Sequence, residues 1–160
     1  MANRKRKPKK ISEYGRQLQE KQELKKIYGI REKQMRRYVE KASKMPGSPS
    51  ENLLKLLELR LDNVIFRLGF AVSRPHARQM VSHGFFIIKD KKNTIPSYSV
   101  SAGDLIQPKN PDKFREFKFK PVSWIETDQR ELSTVITRIP SREEIDTPIN
   151  ENLVVQFYSR

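Results

Sequence analysis

Apolar positions follow two different periods along this chain, and the change falls near its middle. From Ser12 the spacing is helical: Ser12 is placed to cap, Glu13 suits a first turn, and Leu24 and Ile27 stand i,i+3 before Gly29, which permits a break. Met35, Tyr38, Val39 and Ala42 then repeat at i, i+3, i+4 and i+7 and predict a second helix. Its apolar stripe is narrow, and Arg31, Lys33, Arg36, Arg37, Lys41 and Lys44 fill much of the remaining surface. Met45 to Ser50 reads as a linker that also launches a helix, with Ser48, Pro49 and Glu51 at N-cap, N1 and N3 of a capping box. A broad apolar face from Leu53 to Leu68 ends at Gly69 and marks the centre of the core. Ser73 caps the next helix and Gly84 ends it; Ala77, Met80 and Val81 face inward, and Arg74 and Arg78 share an exposed face.

After Gly84 the period shortens to that of strands. Phe85 to Ile88 leads into a Lys-Asp-Lys-Lys-Asn turn, followed by Ile95, Val100 and Leu105-Ile106 behind a Gly103-Asp104 turn. Arg115 to Val122 and Thr134 to Ile139 alternate, and Leu153 to Tyr158 is a β-rich closing strand. The order predicts an α+β fold: an N-terminal helical region, then a compact helix–helix–strand module with a small, mostly antiparallel sheet.

A chain of 160 residues has room for one ordinary domain or two small ones. No apolar run approaches the roughly 18 residues of a membrane span, so no membrane partner is expected. With no cysteine, and only His76 and His83 as imidazoles, neither a disulfide nor a structural zinc site is expected. Charge changes the picture most. The 33 Lys+Arg against 19 Asp+Glu leave +14, and the excess is graded: strongly cationic to Met45, cationic to Lys120, mildly acidic beyond. Such sorting points to a polyanion. The basic stretch lacks the Trp and Phe of a membrane-surface helix, which favours nucleic acid. The narrow-striped helices then lean either on a downstream core or on RNA. Met1 to Lys10 is expected to be a disordered basic arm, without the apolar core of a secretory signal. A localisation string and a phosphate-binding tail both fit its composition.

Arg60-Leu61-Asp62, Leu68-Gly69, Ser73-Arg74, Ala77-Arg78, His83-Gly84, Ile95-Pro96-Ser97-Tyr98 and Gly103-Asp104 carry a resemblance to the small RNA-binding module named after the fourth small-subunit ribosomal protein. That module also occurs in pseudouridine synthases, tyrosyl-tRNA synthetases and a heat-shock RNA-binding protein. The flanks, Ser12 to Met45 and Trp124 to Arg160 with its PINENLVVQFYSR ending, resemble the bacterial-type ribosomal protein S-four family over almost its whole conserved length. The expected organisation is a basic arm over 1–11, a ribosomal domain over 12–59 and 107–160, and the module over 60–106. Three departures stand out. A basic arm replaces the family's cysteine-rich segment, so no zinc is implied. Lys89-Asp90 replaces the usual Asn-Gly, which disfavours a φ > 0 turn and suggests a different loop geometry. Ile106 to Trp124 is shortened to a Pro-Lys-rich connection.

The resemblance implies a structural constituent of the small ribosomal subunit. It implies binding to 16S-type rRNA at the 5′-domain junction early in assembly, contact with ribosomal proteins S-five and S-three, a position by the mRNA entry channel, and an influence on decoding accuracy. It places the protein in the small ribosomal subunit of the cytoplasm, with an organellar ribosome as the alternative. Candidate RNA-binding residues are Lys21, Lys25, Lys26, Arg31, Lys33, Arg36, Arg37, Ser73, Arg74, Arg78, His83, Lys89, Lys91 and Lys92. Arg suits bidentate phosphate contact and Lys point-charge neutralisation. His83 reads equally as an RNA contact or a helix C-cap. Phe114, Phe117 and Phe119 interleave with Lys113, Arg115, Lys118 and Lys120 like a stacking platform, with Phe117 and Phe119 assigned to the core and Phe114 left as a contact. Arg60-Leu61-Asp62 mimics the catalytic Arg-Leu-Asp of pseudouridine synthases, yet Asp62 reads more simply as a helix residue paired to an Arg. With no phosphate loop, nucleophile elbow or metal-spaced cluster, neither an enzyme, a cofactor nor a small-molecule substrate is expected.

Overall fold

In the computed structural model, residues 10–159 are described; the expected basic arm lies outside them apart from Lys10 and Ile11. Helices α1 (Glu13–Tyr28), α2 (Glu32–Lys44), α3 (Pro49–Glu58), α4 (Leu61–Arg67) and α5 (Arg74–Ser82) come first. Strands β1 (Phe86–Ile88), β2 (Lys91–Lys92), β3 (Leu105–Pro108), β4 (Ile125–Asp128) and β5 (Ser133–Ile136) follow, and α6 (Glu151–Tyr158) closes the chain. The sheet runs β2-β1-β3-β5-β4 with every neighbour antiparallel, so the fold is α+β.

Two apolar cores divide the molecule. In the first, α4 and α5 cover the sheet through Leu61, Ile65, Leu68, Phe86, Ile106, Trp124 and Ile136. In the second, α1, α2, α3 and α6 join through Leu24, Met35, Leu53, Leu57 and Val154. The narrow-striped helices therefore lean on a downstream core, one completed by the far end of the chain. The sequence reading groups 107–160 with the helices, but β4 and β5 extend the module's sheet through β3, and Ile145, Ile149 and Val154 return to the helical side.

Several local expectations give way to tertiary demands. The apolar run from Leu53 to Leu68 is two helices, broken at Leu59 and Arg60. Segment 96–100 takes the backbone there: Leu61 N–H donates to the Tyr98 carbonyl at 2.8 Å, Asp62 N–H to Pro96 at 3.1 Å, and Val100 N–H to Leu59 at 2.9 Å. Arg60 bridges Ser99, while Ile95 lies in an exposed loop rather than a strand. Ser48 precedes α3 but makes no capping bond; its hydroxyl pairs with Ser50 at 2.9 Å. Arg115 to Val122 forms no strand. Gln129 takes the backbone, accepting from Phe119 N–H at 3.2 Å and donating to the Phe117 carbonyl at 2.6 Å. Leu153 to Tyr158 is helical despite its β-rich composition, because Val154 must reach the core while Phe157 and Tyr158 meet α1 and α2. Burial overrides propensity. Lys89 and Asp90 adopt φ +52° and +65°, so the positive-φ hairpin turn forms without Asn-Gly. The buried Asp104 carboxylate, 3.0 Å from Lys89 Nζ, anchors it.

Candidate nucleic-acid interface

An open cleft of about 390 Å³ lies where the two cores meet. Helix α2 and the turn before it bring Arg31, Lys33 and Arg37; Arg60 comes from the helix break, Arg78 from α5, and Ser97 from the opposite loop. Five cationic side chains and no carboxylate appear in its described lining. Gly29 makes the turn possible twice over. Its φ is +67°, and a Cβ there would stand 2.5 Å from Arg78 Nη2. Arg78 donates from that nitrogen to the Gly29 carbonyl at 2.6 Å, tying α5 to the α1–α2 turn. Arg31 caps α2 from the rim, where its N–H donates to Gln34 Oε1 at 3.1 Å.

Beneath the cleft lies Asp62, 1% exposed. Its carboxylate accepts from Arg60 Nε at 3.2 Å and Nη2 at 3.0 Å, and stands 3.6 Å from Arg78 Nε. Arg60 also donates to the Tyr38 hydroxyl at 3.0 Å. Burial opposes the Arg60 charge, but the Asp62 hydrogen bonds and charge outweigh it and raise the Arg60 pKa. Asp62 thus has the paired role read from the sequence.

Arg74 and Arg78 do not share an exposed face. The Arg74 guanidinium lies between two rings, 4.7 Å from the Tyr28 centroid and 4.6 Å from Phe66, and donates to Asn63 Oδ1 at 2.9 Å. Burial lowers its pKa. Its neighbours form a polar seam between the cores. The Tyr28 hydroxyl donates to Glu58 at 2.7 Å and contacts Thr147 Oγ1 at 2.9 Å. Arg67 reaches Glu58 and Asp146, each at 2.6 Å. Burial and then the Glu58 charge raise the Tyr28 pKa. Arg67 loses by desolvation, yet its bonds to Glu58 and Asp146 hold it more firmly charged.

Lys21 is likewise internal: 6% exposed, it pairs with Glu32 at 3.0 Å and lies 4.4 Å from the Phe157 centroid. Lys25 meets the same carboxylate at 3.1 Å. Burial opposes ionisation of Glu32, but hydrogen bonds from Tyr158, Lys21 and Lys25 lower its pKa to about 2. Lys26 is exposed, and Arg36, also exposed, lies 5.8 Å from the Tyr158 ring centroid. Ser73 accepts from His76 N–H at 3.2 Å as the N-cap of α5. His83 is the exposed C-cap of that helix, its N–H bonded to the Gln79 carbonyl. Lys89, Lys91 and Lys92 are exposed on the β1–β2 hairpin, and Lys92 packs over Gly84.

The aromatic–basic stretch is not a continuous platform. Phe117 stacks on Phe70 at 4.2 Å, and Phe114 and Phe119 meet Phe70 edge-on at 5.3 and 5.5 Å. Phe114 also lines a second cleft, of about 360 Å³, with Phe85, His83, Lys109 and Lys113. The candidate RNA-binding set read from the sequence lacks Arg60, Lys109 and Lys113, although Arg60 stands in the Arg-Leu-Asp motif and Lys113 beside Phe114. The Pro-Lys composition of the connection signals the two lysines, whereas the motif around Arg60 signals its pairing with Asp62 and not its place at the cleft. Among the described residues no group of His, Asp and Glu could hold a metal, and no helix is long and apolar enough to cross a membrane.

Known families and proteins match this chain. The family described as "Ribosomal protein S4/S9 N-terminal domain" matches residues 1–58, and the "S4 domain" matches residues 59–106. The chain is 47% identical over 160 residues to "Small ribosomal subunit protein uS4" of Thermodesulfovibrio yellowstonii, covering 94% of this chain and 77% of the relative. It is 50% identical over 161 residues to the protein of that name from Caldicellulosiruptor saccharolyticus, covering 95% and 77%. It is 48% identical over 159 residues to "Small ribosomal subunit protein uS4A" of Clostridium botulinum, with the same coverage.

Proposed function

The chain belongs to the family of small ribosomal subunit protein uS4, and from that premise we propose that it recognises a helical junction of small-subunit rRNA through the basic cleft. A ribosomal protein of this family has a structural role, and its S4 domain is an RNA-binding one. The observation that carries the specific reading is the convergence of Arg31, Lys33, Arg37, Arg60 and Arg78 from separate elements on one concavity. A-form RNA hides its base edges in a deep groove, so recognition rests on where phosphates and 2′-hydroxyls fall. Cations fixed on two packed cores match one arrangement of backbones and poorly match others. Arg31, Lys33 and Arg37 supply the outward contacts, with Lys26, Arg36, Lys91 and Lys92 on flanking surfaces. Arg74 and Lys21 act indirectly, by holding the scaffold.

The junction belongs to the 5′ domain, bound early in assembly, with the helical and module halves gripping different rRNA helices. Contacts with ribosomal proteins S-five and S-three, a place beside the mRNA entry channel, an effect on decoding accuracy, repression of its own messenger and a cytoplasmic ribosome complete the proposal. Filter binding to a 5′-domain transcript tests its centre. Arg31→Ala with Arg37→Ala is expected to reduce the log-affinity against log-salt slope by roughly 1.5, with stability within about 0.5 kcal/mol of the parent. Unchanged affinity and slope would remove the cleft from the interface. Co-sedimentation in stoichiometric amount with mature small subunits separates this reading from a free assembly or stress factor. No turnover on rRNA transcripts is expected from an enzyme assay with an Asp62→Ala control.

A further inference from the structure

We propose that the second cleft, between the end of α5 and the connection after β3, holds a single unpaired RNA nucleotide, with its base against Phe85 and Phe114 and its phosphate on Lys109 and Lys113. The inference rests on the reading of the chain as an RNA-binding protein and adds a site of different chemistry. The first cleft has no aromatic wall in its described lining; the second has two phenyl rings. Cations alone attract any polyanion, but a ring beside a cation selects a phosphate that carries a base.

The walls are set by the fold. Phe86 is wholly buried, and Phe85, just before β1, is half-buried against the same core while lining the cleft. Backbone bonds fix Phe85 on both sides: its N–H donates to Met80 at 3.2 Å and its carbonyl accepts from Lys109 N–H at 2.7 Å. Phe114 packs edge-on against Phe70 and remains partly exposed in the cleft. Lys113 Nζ, on an exposed side chain, lies 5.2 Å from the Phe85 centroid, where an arriving base would find a ring already partnered by a cation. The ammonium can pass from the ring to a phosphate as the base takes its place. Lys109 and His83 are exposed at the rim, and the Asn110 amide supplies donor and acceptor for a base edge. No carboxylate appears in the described lining, which disfavours a basic peptide there.

The test uses the full protein, a ten-nucleotide oligo(rA) and inorganic polyphosphate as the base-free anion. Ultraviolet cross-linking with peptide mapping is expected to place an adduct on Phe85 or Phe114. Phe85→Leu should abolish any Phe85 adduct and weaken oligo(rA) binding roughly tenfold, with polyphosphate binding unchanged. Lys109→Ala with Lys113→Ala should weaken both probes. An adduct confined to other peptides, or equal effects of Phe85→Leu on the two probes, would reduce the cleft to an electrostatic patch and overturn the proposal. Phe114→Leu is a second ring variant if Phe85→Leu fails to fold. Failure of the broader reading looks different: the protein would then bind the 5′-domain transcript no better than polyphosphate.

Discussion

The seam and the cleft border the same joint between the two cores and use arginine in opposite ways. In the seam, Arg67 is held by the buried Glu58 and by Asp146 at the surface, and Arg74 by Asn63 and two aromatic rings, so both guanidinium groups are engaged within the protein. At the cleft, Arg31 and Arg37 are exposed beside Lys33, and the sealed Asp62 lies below rather than among them. Residue type does not separate the two sets, nor does position on the helix. The surroundings do, because a guanidinium surrounded by carbonyls and carboxylates has little left for a phosphate. Arg78 shows the intermediate state: it bonds the Gly29 carbonyl, approaches Asp62, and is still partly open to the cleft.

Removing charges from either side should therefore break different properties. The largest loss is expected from Arg67→Ala, which leaves Glu58 buried beside Tyr28 without its cation. Breaking such a pair costs about 3–5 kcal/mol, read as a lower urea midpoint, while the RNA salt slope of the remaining folded protein stays the same. Arg74→Ala removes two ring contacts and the Asn63 bond, and should cost about 2 kcal/mol. A reduced salt slope with unchanged stability would instead put Arg74 at the RNA and dissolve the distinction. The smallest effect concerns acid. Glu32 has a folded pKa of about 2 against an ordinary value of 4.5. Its contribution is complete above pH 4.5 and disappears as pH falls toward 2. Far-UV circular dichroism of Glu32→Gln should show lower stability at neutral pH and a shallower acid transition than the parent.

The helix-bearing front of the chain was legible because its signals are local. Ser12, Gly29, Ser73 and Gly84 mark the limits of α1 and α5 by capping and φ freedom, and the i, i+3, i+4, i+7 stripe of α2 points inward as spaced. The nucleic-acid character followed from the graded charge. The C-terminal elements were misread where two demands conflict. Val154, Val155, Phe157 and Tyr158 favour a strand locally, but as a helix Val154, Val155 and Tyr158 complete the second core and Phe157 reaches Lys21 of α1. The Lys89-Asp90 turn conflicts in the same way, since backbone strain at two residues is offset by the hairpin it closes and by the Asp104 contact.

The chain by itself determined which residue classes are present, where its first helices start and stop, and that its partner is a polyanion, since these depend on neighbours within a turn or on summed charge. Tertiary structure alone decided which cations remain free to bind. That choice depends on groups far apart in the chain, such as Arg67 with Asp146 or Arg78 with Gly29, and such pairs have no period to read. They exist only once the two cores have met.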